Sequence, residues 1–339
     1  MPEALTWIRQ SPGAALGLCL LALLLLLNFL AYRHAYAITH FARSPGPVSP
    51  LRRALLLLRG VVHLRPAMAA TPADVGLPSA THTFPGPAGP LEGWHVPHAQ
   101  SAGVVLLFHG YRACKAELLP EARAFHELGY DTFLVDFRGS GGSGGTRTTI
   151  GFREASDVAR AADYARRQWP GRPLLLYGQS MGAAATLRAL AVEGVRADAA
   201  VLACPFGRLL RTVQARFRER GVPAFPYVHF VVFWGGWLHR FDGFAHDPQE
   251  YARRVTCPTL LLHGGADPQV SQAQMRVIHD NLGGAKRLHV FDGLEHESFV
   301  QKRPDEWKAV VGRFLQESAG GTIGGSESYR RPYEERKAG

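Results

Sequence analysis

Cysteine is scarce: the chain holds four in 339 residues, Cys19, Cys114, Cys204 and Cys257, all far apart. That spacing implies no disulfide framework and contains no zinc-type pair. The histidines show no ligand spacing and the glycine turns lack a nucleotide-binding context, so neither a metal nor an organic cofactor is expected. No internal repeat and no recognised nucleic-acid-binding motif is present, so the net charge of +10 is not read as a nucleic-acid signal. Acidic residues are also missing from Tyr32 to Thr71, a stretch with six arginines: Arg33, Arg43, Arg52, Arg53, Arg59 and Arg65. Such a stretch suits anionic lipid headgroups, at about 1 kcal/mol per basic residue near the surface.

An apolar fraction of 46% with 10% aromatics is ample for a large core and argues against a disordered chain. Ala14 to Ala31 is an 18-residue apolar run in which Asn28 is the only clearly polar side chain. As a helix it is just long enough to cross a hydrocarbon core of ~30 Å. The expectation is a single-pass transmembrane anchor at 14–32, after a short N-terminal segment, 1–13. The alternative is a cleaved signal peptide, since Ala35-Tyr36-Ala37 has the small-x-small look of a cleavage site. Against cleavage stand the length of the run and the presence of Arg33 and His34 just before that site. Lipidation at Cys19 is disfavoured by the preceding Leu18. Arg9, opposed by Glu3, is outweighed by the arginines after the run, which favours the rest of the chain on the cytoplasmic side; export after cleavage is the competing reading.

Residues 33–80 form a basic linker rich in Pro, Gly and Ala, with an apolar stretch, Ala54 to Leu64, able to lie on the bilayer or pack on the domain. Residues 317–339 are rich in Gly, Ser, Glu and Arg and are expected to be disordered. Between them, 81–316, short β-type runs alternate with helical ones, the pattern of a doubly wound, mostly parallel α/β sheet. Strands are expected at Thr81–Phe84, Leu91–Val96, Gly103–Phe108, Thr132–Asp136, Pro173–Tyr177, Ala199–Ala203, Thr259–His263 and Arg287–Phe291. Helices are expected at Lys115–Leu128, Phe152–Gln168, just after Ser180, Gln272–Leu282 and Asp305–Leu315. The alternation breaks at 206–255, an aromatic-rich insertion without obvious strands, expected to be a helical cap over the carboxyl edge of the sheet.

Gly178-Gln179-Ser180-Met181-Gly182 follows the apolar strand ending at Tyr177 and precedes the helix-forming Ala183-Ala184-Ala185. That is the context of a nucleophile elbow, whose turn is too tight for bulky side chains at the glycine positions and pushes the serine Oγ above the sheet edge. A serine hydroxyl needs a histidine to take its proton and a carboxylate to fix that histidine's tautomer. Asp267, just past one strand, and His296, just past the next, supply both in the chain order Ser, Asp, His. Asp242, Asp247 and Asp292 compete for the acid role. Two fall in the insertion and the third sits in a turn close to His296, so the strand-end argument favours Asp267. His263 is the nearest substitute base. His109, His279 and His289 are read as structural. Two backbone N–H groups must receive the developing oxyanion, each worth ~3 kcal/mol or more; Met181, after the nucleophile, and Tyr111, in the His109-Gly110-Tyr111 turn, are the candidates.

His109-Gly110 after one strand, Asp136-Phe137-Arg138-Gly139 with Ser140 and Gly141 after the next, the elbow at Ser180, Asp267 and His296 together resemble the alpha/beta-hydrolase superfamily. Within it the chain is similar to membrane-anchored serine hydrolases of the lysophospholipase-like and serine-aminopeptidase-like branch. The resemblance spans Thr81 to Leu315 and implies Ser180, Asp267 and His296 as the triad; residues 206–255 match no cap tied to a defined substrate. The expected activity is hydrolysis of a carboxylic ester or thioester of apolar, lipid-like acyl groups through an acyl-enzyme. The expected partners are that small-molecule substrate and membrane lipids at the N-terminal helix and basic linker. A peptidase or acyltransferase would use the same triad. A membrane-tethered binding protein that keeps the fold without turnover is the non-enzymatic alternative.

Overall fold

The computed structural model describes residues 12–42, 63–219, 221 and 223–320. Helix α1 (Pro12–Thr39) leads into a two-residue strand, β1 (Phe41–Ala42), paired in parallel with β2 (His63–Leu64). Residues 1–11 of the expected N-terminal segment, 321–339 of the expected tail, and the apolar stretch from Ala54 up to residue 62 lie outside the described residues. A 3-10 turn at Pro72–Val75 precedes β3 (Ala80–Phe84) and β4 (Leu91–Val96), an antiparallel pair.

After β5 (Val104–Phe108) the chain forms a 3-10 turn at Lys115–Leu118, then α2 (Leu119–Glu127) and β6 (Asp131–Val135). One continuous helix from Lys115 was expected. The true α-helix starts at Leu119 because Pro120, lacking an N–H, fits only a first turn. There follow α3 (Glu154–Gln168), β7 (Leu174–Gln179), α4 (Met181–Val192) and β8 (Ala199–Ala203). The insertion contributes α5 (Leu209–Arg218), α6 (Tyr227–His239) and α7 (Pro248–Ala252). The domain closes with β9 (Thr259–Gly264), α8 (Gln272–Asn281), β10 (Lys286–Phe291), α9 (Phe299–Lys302) and α10 (Pro304–Ala319).

The eight-stranded sheet has the order β10-β9-β8-β7-β5-β6-β4-β3. Every neighbour pair from β10 to β6 is parallel, whereas β4 pairs antiparallel with both β6 and β3. This is the doubly wound, mostly parallel sheet expected. Its central strands read as unbroken apolar runs because both faces are covered. Side chains of β5 alternate between two cores. Val105 and Leu107 pack with Phe125 of α2 and Trp307 and Phe314 of α10, while Leu106 and Phe108 pack with Val158 and Ala161 of α3 and Ala185 of α4. The small residues of α3 and α4 let those helices lie close to the sheet. The switch in strand order at β5 and β7 opens the crevice in which ligands of such sheets bind.

Helix α1 changes surroundings along its length, and it continues through Thr39, past the expected end of the anchor at 32. Leu16 to Leu30 present their large side chains outward, whereas Ala31 and Ala35 are fully buried against α6, around Val231. Two alanines on one stripe leave room for that approach, and the packing carries the helix on into what reads locally as linker. From Thr39 onward the chain is stitched to the loop after β6: Thr148 N–H donates to the Thr39 carbonyl at 2.9 Å and Phe41 N–H to the Thr146 carbonyl at 2.8 Å.

Candidate active site

Ser180 joins β7 to α4 at φ 53° and ψ −110°, a left-handed backbone costly for a residue with a side chain. Neighbouring strands hold it there: its N–H donates to the Ala203 carbonyl of β8 at 2.8 Å. A Cβ on Gly178 would stand 2.7 Å from Ala183 Cα, and one on Gly182 would collide with the Phe108 carbonyl. Both glycines of the elbow are therefore required by contact.

Beyond the ends of β9 and β10, Asp267 and His296 come to the same sheet edge. His296 Nε2 is 2.9 Å from Ser180 Oγ, and His296 Nδ1 is 2.7 Å from Asp267 Oδ2. The second Asp267 oxygen accepts the N–H groups of Gln269 at 2.8 Å and Val270 at 2.9 Å. Burial works against the charged form of Asp267. The hydrogen bond and positive field of His296 and the two backbone donors outweigh it, holding the carboxyl below its ordinary range. A Cβ on Gly264 would collide with the Glu295 carbonyl, so the histidine loop packs directly on the end of β9.

Two of the competing acids are engaged elsewhere. Asp247 caps α7 through Gln249 N–H and pairs with Arg208 at 2.6 Å, while Asp242 accepts Phe244 N–H at 2.8 Å. His263 is buried, and burial lowers its pKa. Asp136 ties the glycine loop through both oxygens: Oδ1 accepts Lys115 N–H at 2.7 Å, and Oδ2 accepts Gly142 N–H at 2.9 Å and meets the fully buried Lys115 ammonium. Arg138 turns away from Asp136 to pair with Asp157 at 2.6 Å.

His109 is fixed as a neutral ring. Its Nε2 accepts Phe137 N–H at 3.1 Å and its Nδ1–H donates to the Gly110 carbonyl at 2.8 Å; burial lowers its pKa. In a trans peptide the C=O and N–H point oppositely, so anchoring the Gly110 carbonyl turns the Tyr111 N–H the other way. Tyr111 and Met181 both line the cleft that contains Ser180.

Several contributors had no local signature in the sequence. His34 and Ile38 of α1 line that cleft, as do His63, Arg112 and Arg216. Tyr111 Oη donates to the Ile38 carbonyl at 2.6 Å, and burial pushes its pKa up to about 12. Arg65 reaches across the glycine loop to the carbonyls of Gly141 at 2.8 Å and Ser143 at 2.6 Å. Cys204, buried at the end of β8, has its thiol pushed well up by burial and by the Asp267 charge. Ligand atoms of Cys204, Asp267 and His296 lie within 4.8 Å of one another. The thiol stays protonated there and the other two side chains bond each other, so the cluster serves the Asp–His pair before any cation.

The cleft encloses about 1480 Å³ of space open to solvent. Ile38, Ile150, Phe206, Leu209, Val213 and Phe217 make its apolar walls, and no carboxylate is among the described residues that line it.

The sequence pattern of the family described as serine aminopeptidase, S33, matches residues 99–225 and 225–303. A monoacylglycerol lipase of Mycolicibacterium smegmatis is 27% identical over 254 residues, covering 64% of this chain and 90% of that one. The lysophosphatidylserine lipase ABHD12 of Macaca fascicularis is 25% identical over 245 residues, 65% of this chain and 57% of that one. Among solved structures, an esterase of Pyrococcus furiosus superposes with a TM-score of 0.63 at 24% identity, covering 74% of this chain and 94% of that one. This last likeness is one of fold.

Proposed function

This chain belongs to the serine aminopeptidase S33 family of alpha/beta hydrolases, and from that premise we propose that it is a serine esterase acting on lipid-like acyl esters. The observation that carries the proposal is the unbroken relay from Ser180 through His296 to Asp267, at 2.9 and 2.7 Å. Ser180 Oγ attacks the ester carbonyl carbon while its proton passes to His296 Nε2. Asp267 stays ionised, fixes the ring with its proton on Nδ1 and stabilises the imidazolium. The Met181 and Tyr111 N–H groups receive the oxyanion. The intermediate collapses as the C–O bond breaks, and His296 gives its proton to the departing alcohol. Water, deprotonated by His296, then attacks the acyl-enzyme and releases the carboxylic acid and free Ser180.

An aminopeptidase would need a carboxylate to hold the substrate's free ammonium group. The described cleft lining has none and instead carries Arg112 and Arg216. That charge favours an ester whose alcohol part is neutral or anionic, and the apolar walls favour an acyl chain over a peptide. The two lipase relatives point the same way. An acyltransferase would differ only in the acceptor that takes the place of water.

Helix α1, with 28 residues and an apolar window, is long enough to cross a bilayer. We read it as a single-pass anchor, with the catalytic domain on the cytoplasmic side by the arginine balance.

The test is a comparison of fatty-acyl with aminoacyl p-nitrophenyl esters, which share one leaving group, on the purified full-length protein. Fatty-acyl esters turned over at least about 100-fold faster is the expected result; the reverse preference restores the aminopeptidase reading.

A further inference from the structure

We propose that the last turns of α1 are a wall of the substrate cleft, and that α1 and α6 together dock the mouth of that cleft on a lipid bilayer, from which the acyl ester enters. The inference rests on the esterase and anchor readings above and adds how the two are joined.

Three observations meet at one level of the molecule. First, α1 is outward-facing from Leu16 to Leu30 and buried from Ala31. From Pro12 to Leu30 it rises about 28 Å, close to a hydrocarbon thickness of about 30 Å. The membrane boundary therefore falls near Tyr32, where the helix meets the cap. Second, α6 is apolar on both sides. Val228, Val231 and Val232 face inward, while Phe233 and Trp237 are 50% and 64% exposed. Tyr32 meets Trp234 edge to face at 5.5 Å, and Trp234 meets Phe233 at 5.3 Å and Trp237 at 5.5 Å. This aromatic row starts at the boundary of α1 and runs onto the outside of the cap, where a membrane protein places its interfacial tyrosines and tryptophans. With 13 residues α6 is too short to span a bilayer and long enough to lie in its surface. Third, His34 and Ile38, positions of α1 beyond Tyr32, line the cleft with Ser180, and the His34 ring lies 5.1 Å from that of Phe217 on α5.

The occupant of this surface is lipid and not a protein partner, because it is continuous with the lipid-spanning part of α1. A basic side chain also stands at that level: Arg33 sits over the Phe29 ring at 5.7 Å, and the sequence that follows has no acidic residue up to Thr71. An acyl chain leaving the bilayer along the α1–α6 seam reaches the apolar walls of the cleft without crossing water.

The test uses the full chain in nanodiscs of phosphatidylcholine and phosphatidylglycerol. Two fluorogenic substrates are compared: a water-soluble butyrate ester and a long-chain acyl ester embedded in the disc. The expected result is that Phe233→Ser with Trp237→Ser lowers the ratio of embedded to soluble turnover at least about fivefold. An unchanged ratio overturns the docking proposal. Should that variant lose its fold, benzoylphenylalanine in place of Phe233 keeps an aromatic there; illumination is expected to give lipid adducts, and their absence overturns the proposal. Ile38→Trp is expected to shift the chain-length optimum toward shorter acyl groups, and an unaltered profile contradicts the wall role. A wild type that fails to react with a fluorophosphonate would sink the esterase reading instead, so the two failures are distinct.

Discussion

Tyr111 donates its hydroxyl to the Ile38 carbonyl at 2.6 Å, tying the loop beside the nucleophile to the end of the long N-terminal helix. Its backbone N–H, turned by the His109 hold on Gly110, is the part read as receiving the oxyanion. On that reading the side chain and the main chain of Tyr111 have separate roles.

Tyr111→Phe separates the two. The amide remains, so turnover of a short soluble ester is expected to stay within about threefold. The lost hydrogen bond is expected to cost about 1 kcal/mol of stability. Thermal unfolding and steady-state kinetics on the same preparation check both. A hundredfold fall in short-ester turnover would show that the hydroxyl itself acts in the chemistry.

In the relay, Ser180→Ala and His296→Ala are expected to abolish ester turnover, and Asp267→Asn to lower kcat on the order of 10³-fold or more by presenting the wrong tautomer to Ser180. His263 is the control, a buried histidine near the acid loop whose Nδ1 has no hydrogen-bond partner among the described residues. His263→Gln is expected to leave activity within a few-fold, and single-turnover kinetics would register any larger effect.

Glu121 is buried, and burial raises its pKa to about 7 despite the 2.7 Å hydrogen bond it accepts from Ser298, two residues past His296. The unfolded chain releases this proton near the ordinary value of 4.5 while the folded chain holds it to about 7. The unfolded state therefore binds fewer protons across that window, and stability falls as pH rises through it, levelling off above. Glu121→Gln is expected to remove that fall, so its melting temperature relative to wild type rises between pH 4.5 and 7. Parallel unfolding at about pH 5 and about pH 8 measures it.

At the elbow, Gly182→Ala drives a methyl group into the Phe108 carbonyl of the central strand. A loss of ~3 kcal/mol or more, or insoluble protein, is the expected outcome. Denaturant unfolding beside Gly194→Ala, where open space surrounds the glycine but φ is +74°, separates contact from backbone strain.

The sheet was legible because its central strands are buried on both faces and bounded by turn residues. The Leu91–Val96 and Ala199–Ala203 strands have the expected bounds, and the others differ by a residue or two. The meeting of Ser180, Asp267 and His296 was legible because strand ends in such a sheet converge on one edge. What stayed hidden was non-local. Nothing near His34, Ile38 or Arg65 announces that a run read as anchor and linker contributes to the cleft and clamps the glycine loop. Those roles come from contacts with α5, α6 and the loop at 139–145, far along the chain. Ala35, which in sequence looks like part of a cleavage site, is a buried contact against the cap.

The most direct measurement is fluorophosphonate labelling of the full-length protein, followed by peptide mapping of the adduct. A single adduct on Ser180, absent from Ser180→Ala and strongly slowed in His296→Ala, is the predicted result. A folded wild type that takes up no probe, or carries it on another residue, would contradict the account and leave a membrane-tethered binding protein in its place.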